Sequence, residues 1–360
     1  MSLPNNRMTA IVCYGPEDYR VEEKDRPSPG PGEVVIRITA CGICASDCKC
    51  WSGAKMFWGG DNPYVKPPVV PGHEFFGVVD EMGADAASHF GLKAGDRVIA
   101  EQIVPCDRCR YCRSGSYWMC EVHNIFGFQR DVADGGMSDY MLIPRTARVH
   151  VIPPELSLED AAIIEPMACA IHTVQRGDIQ LSDVVVIAGA GPIGLMMVQV
   201  AKLKTPKKLI VIDMVPERLA LARGFGADIT INPAEADALK IVQDATDGYG
   251  CDVYIEATGS PSGVVQGLSL VRKLGRFVEF SVFGKETTVD WSIIGDRKEL
   301  DIRGSHLGPY CYPIAIDLLS RGLVTSKGIV THDFAFADWD EAIKLANSLD
   351  SIKVLMKGGG

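Results

Sequence analysis

The segment DVVVIAGAGPIGLMMVQVAKL, residues 183–203, constrains this chain more than any other. Five apolar, mostly β-branched residues, Val184 to Ala188, run directly into Gly189-Ala190-Gly191-Pro192-Ile193-Gly194 and then into an apolar stretch of helical texture. A buried strand, a glycine turn and a proline-opened helix form the first unit of a doubly wound parallel sheet. In such a unit Gly189 makes the tight turn and Gly191 lets a pyrophosphate approach the backbone. Gly194 lets helix pack on strand, and Pro192 and Ile193 open the helix whose first N–H groups face the phosphates. Residues 184–201 are long enough to span a membrane. The glycines and proline break that run in the middle, so neither a span nor a membrane partner is expected.

The rhythm continues downstream. KKLIVIDMV leads into PERLALARGFGA, with Pro216 placed for a helix start and Gly224 or Gly226 for its end. CDVYIEATG, GRFVEFSVFG and LDIRGSH are predicted as further strands. Asp213 closes LIVID, 19 residues after Gly194, where a carboxylate accepts both ribose hydroxyls of a dinucleotide. That carboxylate repels a 2′-phosphate and Met214 offers no positive charge to hold one, so NAD is expected rather than NADP. Arg218 has two readings: a phosphate ligand, or a side chain stacked near adenine or solvated on the helix start.

Residues 8–150 have a different texture, rich in Gly, Pro and short Val/Ile runs such as EVVIRITA, FFGVVDEM and DRVIAEQIV. They predict an irregular, mostly antiparallel β-domain. From about residue 157 helical patterns begin with LEDAAIIEPMACAIHTVQR, and two more, YPIAIDLLSRG and WDEAIKLANSL, follow after residue 300. With 360 residues the chain suits two domains. A net charge of −10 argues against a nucleic-acid partner. MSLPNNRMTA lacks the apolar core of a secretory signal, and a cytoplasmic location is expected. In that setting the twelve cysteines point to metal rather than disulfides.

Their spacing agrees. Cys106, Cys109, Cys112 and Cys120 form a C-x2-C-x2-C-x7-C lobe, able to close four thiolates around zinc with no open position. An iron–sulfur cluster is the alternative, and the redox context favours zinc. A second set is dispersed: Cys44 in CGICASD, His73 and Glu74 in PGHEFFGVV, and Glu165 in EPMACAIH. One Cys, one His and one or two carboxylates leave a coordination position for substrate, as a catalytic zinc requires.

These motifs, together with DGGMSDYMLIP at 134–144, resemble the zinc-dependent medium-chain alcohol dehydrogenases over essentially the whole chain. The resemblance implies an α/β protein: a GroES-like β-rich catalytic domain over 1–156, a Rossmann NAD-binding domain over 157–300, and a return to the first domain over 301–360. It implies two zincs per chain, NAD, an active site in the cleft, and a homodimer or homotetramer. Catalytic zinc is expected on Cys44 and His73, with Glu74 and Glu165 as third or exchanging ligands, and structural zinc on the four-cysteine lobe. Glu165 in its EP-x4-IH setting looks like the sorbitol dehydrogenase branch.

By the same likeness Ser46 hydrogen-bonds the substrate alcohol and passes its proton on, and Asp47 orients His73. A helix N-cap is the competing role for Ser46. Lys49 stands where many relatives carry a proton-relaying histidine, and GSHLGPYCYP lacks the Phe-Arg pair of animal-type sorbitol dehydrogenases. The expected reaction is NAD-linked oxidation of a secondary hydroxyl of a small polyol, tetritols or pentitols ahead of hexitols, with Trp51, Phe57 and Trp58 as aromatic walls of the pocket or, alternatively, as the lining of a subunit contact. L-Threonine 3-dehydrogenase and butanediol dehydrogenase are the alternative activities. A non-catalytic nucleotide-binding redox sensor is the alternative of another class.

Overall fold

The structure is a computed structural model that describes residues 6–358. It divides into two compact units. One runs to Glu165 and resumes at Tyr312; the other is Pro166–Cys311. Both boundaries lie later than the expected 156 and 300. The helix Ile164–Gly177 spans the first boundary, and residues 301–311 stay with the parallel sheet because their strand is its last member.

Along the first unit run β1 (Arg7–Gly15), β2 (Asp18–Asp25), β3 (Val34–Gly42), β4 (Glu74–Met82), β5 (Arg97–Ala100), β6 (Ile103–Val104), β7 (Asn124–Ile125), β8 (Tyr140–Ile143) and β9 (Val149–Val151). The second unit holds β10 (Val184–Ala188), β11 (Lys208–Ile212), β12 (Ile229–Ile231), β13 (Cys251–Glu256), β14 (Val271–Glu279) and β15 (Asp301–Gly304). The chain then returns to the first unit with β16 (Val330–Ala335) and β17 (Lys353–Lys357).

The main sheet of the first unit has the order β16-β17-β3-β4-β5-β9, with β8 also paired to β3. Every pair except β16–β17 is antiparallel. Its core gathers Ile36, Phe75, Phe126, Met137, Met141 and Trp339. The register pairs Gly42 with Glu74. A Cβ at Gly42 would lie 2.2 Å from a Glu74 carboxylate oxygen, so glycine here makes room for that side chain. The run DRVIAEQIV is broken between β5 and β6 at Glu101 and Gln102, both buried. Their side chains are committed to buried hydrogen bonds described below.

The second unit is one parallel sheet, β12-β11-β10-β13-β14-β15. Its central strands are buried on both faces, as their near-continuous apolar sequence requires, whereas β15 is largely exposed at the edge. The strand order reverses between β10 and β13, the switch point at which such sheets bind ligands beyond their carboxyl ends. The doubly wound fold expected from 183–203 is present. GRFVEFSVFG departs from expectation: the strand stops at Glu279, and Ser281 turns its hydroxyl to accept the Gly259 N–H at 3.0 Å. LEDAAIIEPMACAIHTVQR forms two helices, Leu158–Ala162 and Ile164–Gly177. Among the described residues no helix is long and apolar enough to cross a membrane.

Candidate active site and metal centres

Strand β3 delivers the chain to Cys44, which caps the helix Ala45–Trp51 with extended backbone. Asp47 is the third residue of that helix, and its Oδ2 accepts the Cys44 N–H at 2.9 Å. Ser46 is the second residue of the helix, so the N-cap role weighed for it belongs to Cys44.

His73 enters from the left-handed turn at Gly72 and precedes β4, whose first residue is Glu74. Cys44, His73 and Glu74 each place one ligand atom within 4.8 Å of the others. The donors of a tetrahedral zinc shell, with edges of roughly 3.3–3.8 Å, fit inside that span. His73 is buried, with Nε2 3.5 Å from Ser46 Oγ and Nδ1 3.5 Å from Asp47 Oδ1. The Nδ1 atom makes no hydrogen bond. A metal on Nε2 fits this arrangement, because it fixes the proton on Nδ1, where Asp47 stands to receive it. Burial works to keep the imidazole neutral, but the Asp47 carboxylate and the Cys44 thiol outweigh it and push the pKa well above the usual value. A metal binding here therefore displaces a proton.

The two glutamates are held differently. Lys353, the buried first residue of β17, places its ammonium 2.8 and 2.6 Å from the two oxygens of Glu74 and 3.1 Å from the Ile43 carbonyl. Glu165, in the first turn of Ile164–Gly177, is also buried but lies outside the Cys44–His73–Glu74 group. It accepts a hydrogen bond from the Gln102 amide. Neither Lys353 nor Gln102 stands out in the sequence. A glutamate, an aspartate and a thiol crowded about His73 do call for a counter-charge, but nothing in the chain says which of its lysines supplies it.

Beside His73 lies an aromatic cluster. Phe128 is 5.7 Å from the imidazole, Phe57 stacks on Phe128 at 5.3 Å, and Tyr64 leans on both. Of the three expected walls only Phe57 joins it. Trp51 packs against the core, and Trp58 donates its indole N–H to the Cys50 carbonyl. Lys49 is half-buried on the helix Ala45–Trp51.

The four cysteines of the lobe also converge within 4.8 Å of one another. Backbone N–H groups point at the sulfurs: Cys106 N–H to Cys120 at 3.4 Å, Cys109 N–H to Cys106 at 3.4 Å and Cys112 N–H to Cys109 at 3.5 Å. Such donors favour thiolate, and those facing Cys109 bring its pKa down to about 6. Cys112 is pushed up to about 12 by burial and the neighbouring thiols, so its proton needs a cation to displace it. The Cys106 and Cys112 sulfurs are 4.0 Å apart, close to the ~3.8 Å edge of a tetrahedral zinc–thiolate shell.

The three glycines of the turn after β10 differ in what a Cβ would meet. Gly189 has φ +100°, and a Cβ there would strike the Ala257 carbonyl at 2.5 Å. At Gly191 a Cβ meets nothing within 4 Å, which leaves the protein's outer side open to a pyrophosphate. At Gly194 it would sit 1.9 Å from the Gly189 carbonyl oxygen. Pro192 and Ile193 open the helix Pro192–Leu203. Asp213 accepts N–H groups from Ala190 at 2.6 Å and Val215 at 2.8 Å, which ties the end of β11 to the glycine turn. Arg218 lies in the first turn of Pro216–Gly224. Thr173, which sequence reasoning passed over, meets Ser305 at 3.0 Å beyond the end of β15.

This pairing of a nucleotide-binding sheet with a cysteine–histidine–glutamate centre defines a metal-assisted dehydrogenase, and comparisons with known proteins agree. Residues 30–154 match the model of the alcohol dehydrogenase GroES-like domain, and residues 192–321 match that of zinc-binding dehydrogenases. The erythritol/L-threitol dehydrogenase of Mycolicibacterium smegmatis is 50% identical over 97% of each chain. The sorbitol dehydrogenase of Halalkalibacterium halodurans is 34% identical, covering 97% of this chain and 99% of its own. A short chain alcohol dehydrogenase from E. coli CFT073, solved with NADH, superposes with a TM-score of 0.85 at 32% identity, covering 98% of this chain and 100% of its own.

The chain belongs to the zinc-dependent medium-chain polyol dehydrogenase family. It is an oxidoreductase that uses zinc and NAD(H) and acts on a small molecule.

Proposed function

We propose that the protein oxidises a secondary hydroxyl of a four-carbon sugar alcohol, erythritol or threitol, to the corresponding ketose with NAD as hydride acceptor. The observation that carries this reading is the Cys44–His73–Glu74 centre with Phe128 beside His73 and Phe57 and Tyr64 packed on Phe128, an aromatic wall suited to a short polyol. The half-identical relative named for erythritol and L-threitol points to the same chain length.

When bound, zinc supplies Lewis-acid activation of the substrate oxygen. In our proposal Cys44 and His73 hold that zinc, with Glu74 and Glu165 as its third or exchanging ligands. Asp47 holds the histidine ring and the helix start together. Ser46 takes the hydroxyl proton, and Lys49 is the proposed exit to solvent. NAD, when bound, would supply the hydride acceptor, so the overall balance would be one alcohol and one NAD+ to one ketone, one NADH and one proton. Gly189, Gly191, Pro192, Ile193 and Gly194 cradle the pyrophosphate. Asp213 takes the ribose hydroxyls, Arg218 flanks the adenosine half, and the four-cysteine lobe carries a second, closed zinc. We place the enzyme in the cytoplasm as a homodimer or homotetramer, the assemblies typical of its family.

The test is a panel of C3–C6 alditols, diols and threonine, each assayed with NAD and NADP. Erythritol or threitol with NAD should give the highest kcat/KM and a ketose product. Preference for threonine or 2,3-butanediol would contradict the assignment.

A further inference from the structure

A buried hydrogen-bond chain lies at the break between β5 and β6. Gln102 donates its side-chain amide to Glu165, and its own Oε1 accepts the Tyr312 hydroxyl at 2.6 Å. The Gln102 backbone N–H donates to the same Tyr312 oxygen at 3.2 Å. Gln102, Glu165 and Tyr312 are 2%, 4% and 0% exposed, so water does not compete for these contacts.

The polarity of the chain follows from proton count. A tyrosine hydroxyl has one proton, and here it goes to Gln102 Oε1 while the backbone N–H occupies the acceptor side. With Oε1 so engaged, the amide must present its NH2 to Glu165. The flipped amide would set a carbonyl oxygen against a carboxylate.

The frame around this chain is also fixed. His150 stacks on the Tyr312 ring at 5.3 Å and lies 3.1 Å from a Glu101 oxygen. The other Glu101 oxygen accepts the Tyr117 hydroxyl at 2.6 Å, and Tyr117 sits inside the four-cysteine lobe, three residues before Cys120. Residues 101 and 102 are thus clamped from both sides. The buried ammonium of Lys353, already on Glu74, also feels the charge of Glu165.

We propose that Gln102, its amide oriented by Tyr312, is a positioning residue that fixes one oxygen of Glu165 and so presents the carboxylate to the catalytic metal as a one-oxygen ligand. The proposal rests on Glu165 being a ligand of that metal.

The test uses the full-length enzyme with zinc kept in the four-cysteine lobe and the catalytic site titrated with Co2+. Affinity and the visible absorption of the bound cobalt are the readouts, alongside kcat and KM. Tyr312→Phe and Gln102→Met should each weaken cobalt binding by ~10–100-fold and shift its absorption, with lobe zinc and NAD affinity unchanged. Tyr312→Phe removes one oxygen atom and carries the test if Gln102→Met does not fold. Glu165→Gln is the control for the underlying assignment. If Glu165→Gln alters the cobalt spectrum and Tyr312→Phe leaves spectrum and affinity as in the native enzyme, the positioning role is overturned while Glu165 remains a ligand. If Glu165→Gln changes neither, Glu165 is not a ligand and the proposal falls with it.

Discussion

Lys353 spans both carboxylate oxygens of Glu74, at 2.8 and 2.6 Å, with neither side chain more than 3% exposed. A strand from the last ten described residues thereby neutralises a residue near the start of β4.

Removing the lysine should therefore cost more than a surface ion pair does. Lys353→Met leaves a buried carboxylate without its counter-charge, and a loss of about 3–5 kcal/mol is expected in urea unfolding. The double variant Lys353→Met with Glu74→Gln should recover a large part of it. Burial opposes the charge on Lys353, but Glu74 outweighs it and raises the pKa. A raised lysine contributes fully below its unfolded value of about 10.4 and loses that contribution only as pH rises through the higher folded value. The native enzyme should accordingly show no lysine-linked change in stability between about pH 6 and 9. A Lys353→Met variant as stable as the parent would remove the pair from the account.

Ser46 stands in the second position of its helix and 3.5 Å from His73 Nε2, with Cys44 as the cap. Ser46→Ala should lower turnover by roughly 10²-fold, the size of a lost proton-transfer contact, and leave the unfolding midpoint unchanged. Zinc content and NAD affinity should stay at native values. Full activity in the variant would show that the proton leaves by another route.

Asp213 links the two halves of the nucleotide grip by accepting N–H groups from Ala190 and Val215. NAD should exceed NADP in kcat/KM by ~100-fold or more, a gap of about 2.7 kcal/mol. Asp213→Ala should narrow it chiefly by weakening NAD. Equal use of both cofactors by the native enzyme would contradict the reading of this carboxylate.

Features with local causes were the legible ones. The strand–glycine turn–helix at 183–203 and the cysteine spacing at 106–120 each follow from short-range geometry, and both appear in the structure as the sequence implied. The convergence of Cys44 and His73 was suggested by ligand chemistry and by family likeness, since nothing local brings residues 29 apart together. Lys353, Gln102 and Tyr312 escaped because their roles depend on contacts between segments far apart in the chain, 279 residues for Lys353 and Glu74 and 210 for Gln102 and Tyr312. The break at residues 101 and 102 is not legible in the sequence, because the apolar run on each side hides two polar side chains that need buried partners. Trp51 and Trp58 lie elsewhere because aromatic character alone does not say which way a side chain points, while Phe128, far downstream, comes beside His73 and Tyr64 packs on Phe128.

Turnover should depend on a metal held by Cys44, separate from the one in the four-cysteine lobe. Metal content, NAD binding and polyol oxidation measured together on Cys44→Ser test it most directly, with Cys109→Ser as the contrasting variant. Cys44→Ser should retain about one zinc per chain instead of about two, bind NAD like the native enzyme and show no detectable turnover. Cys109→Ser should instead lose stability first. A Cys44→Ser enzyme that kept both zincs and its activity would contradict the account.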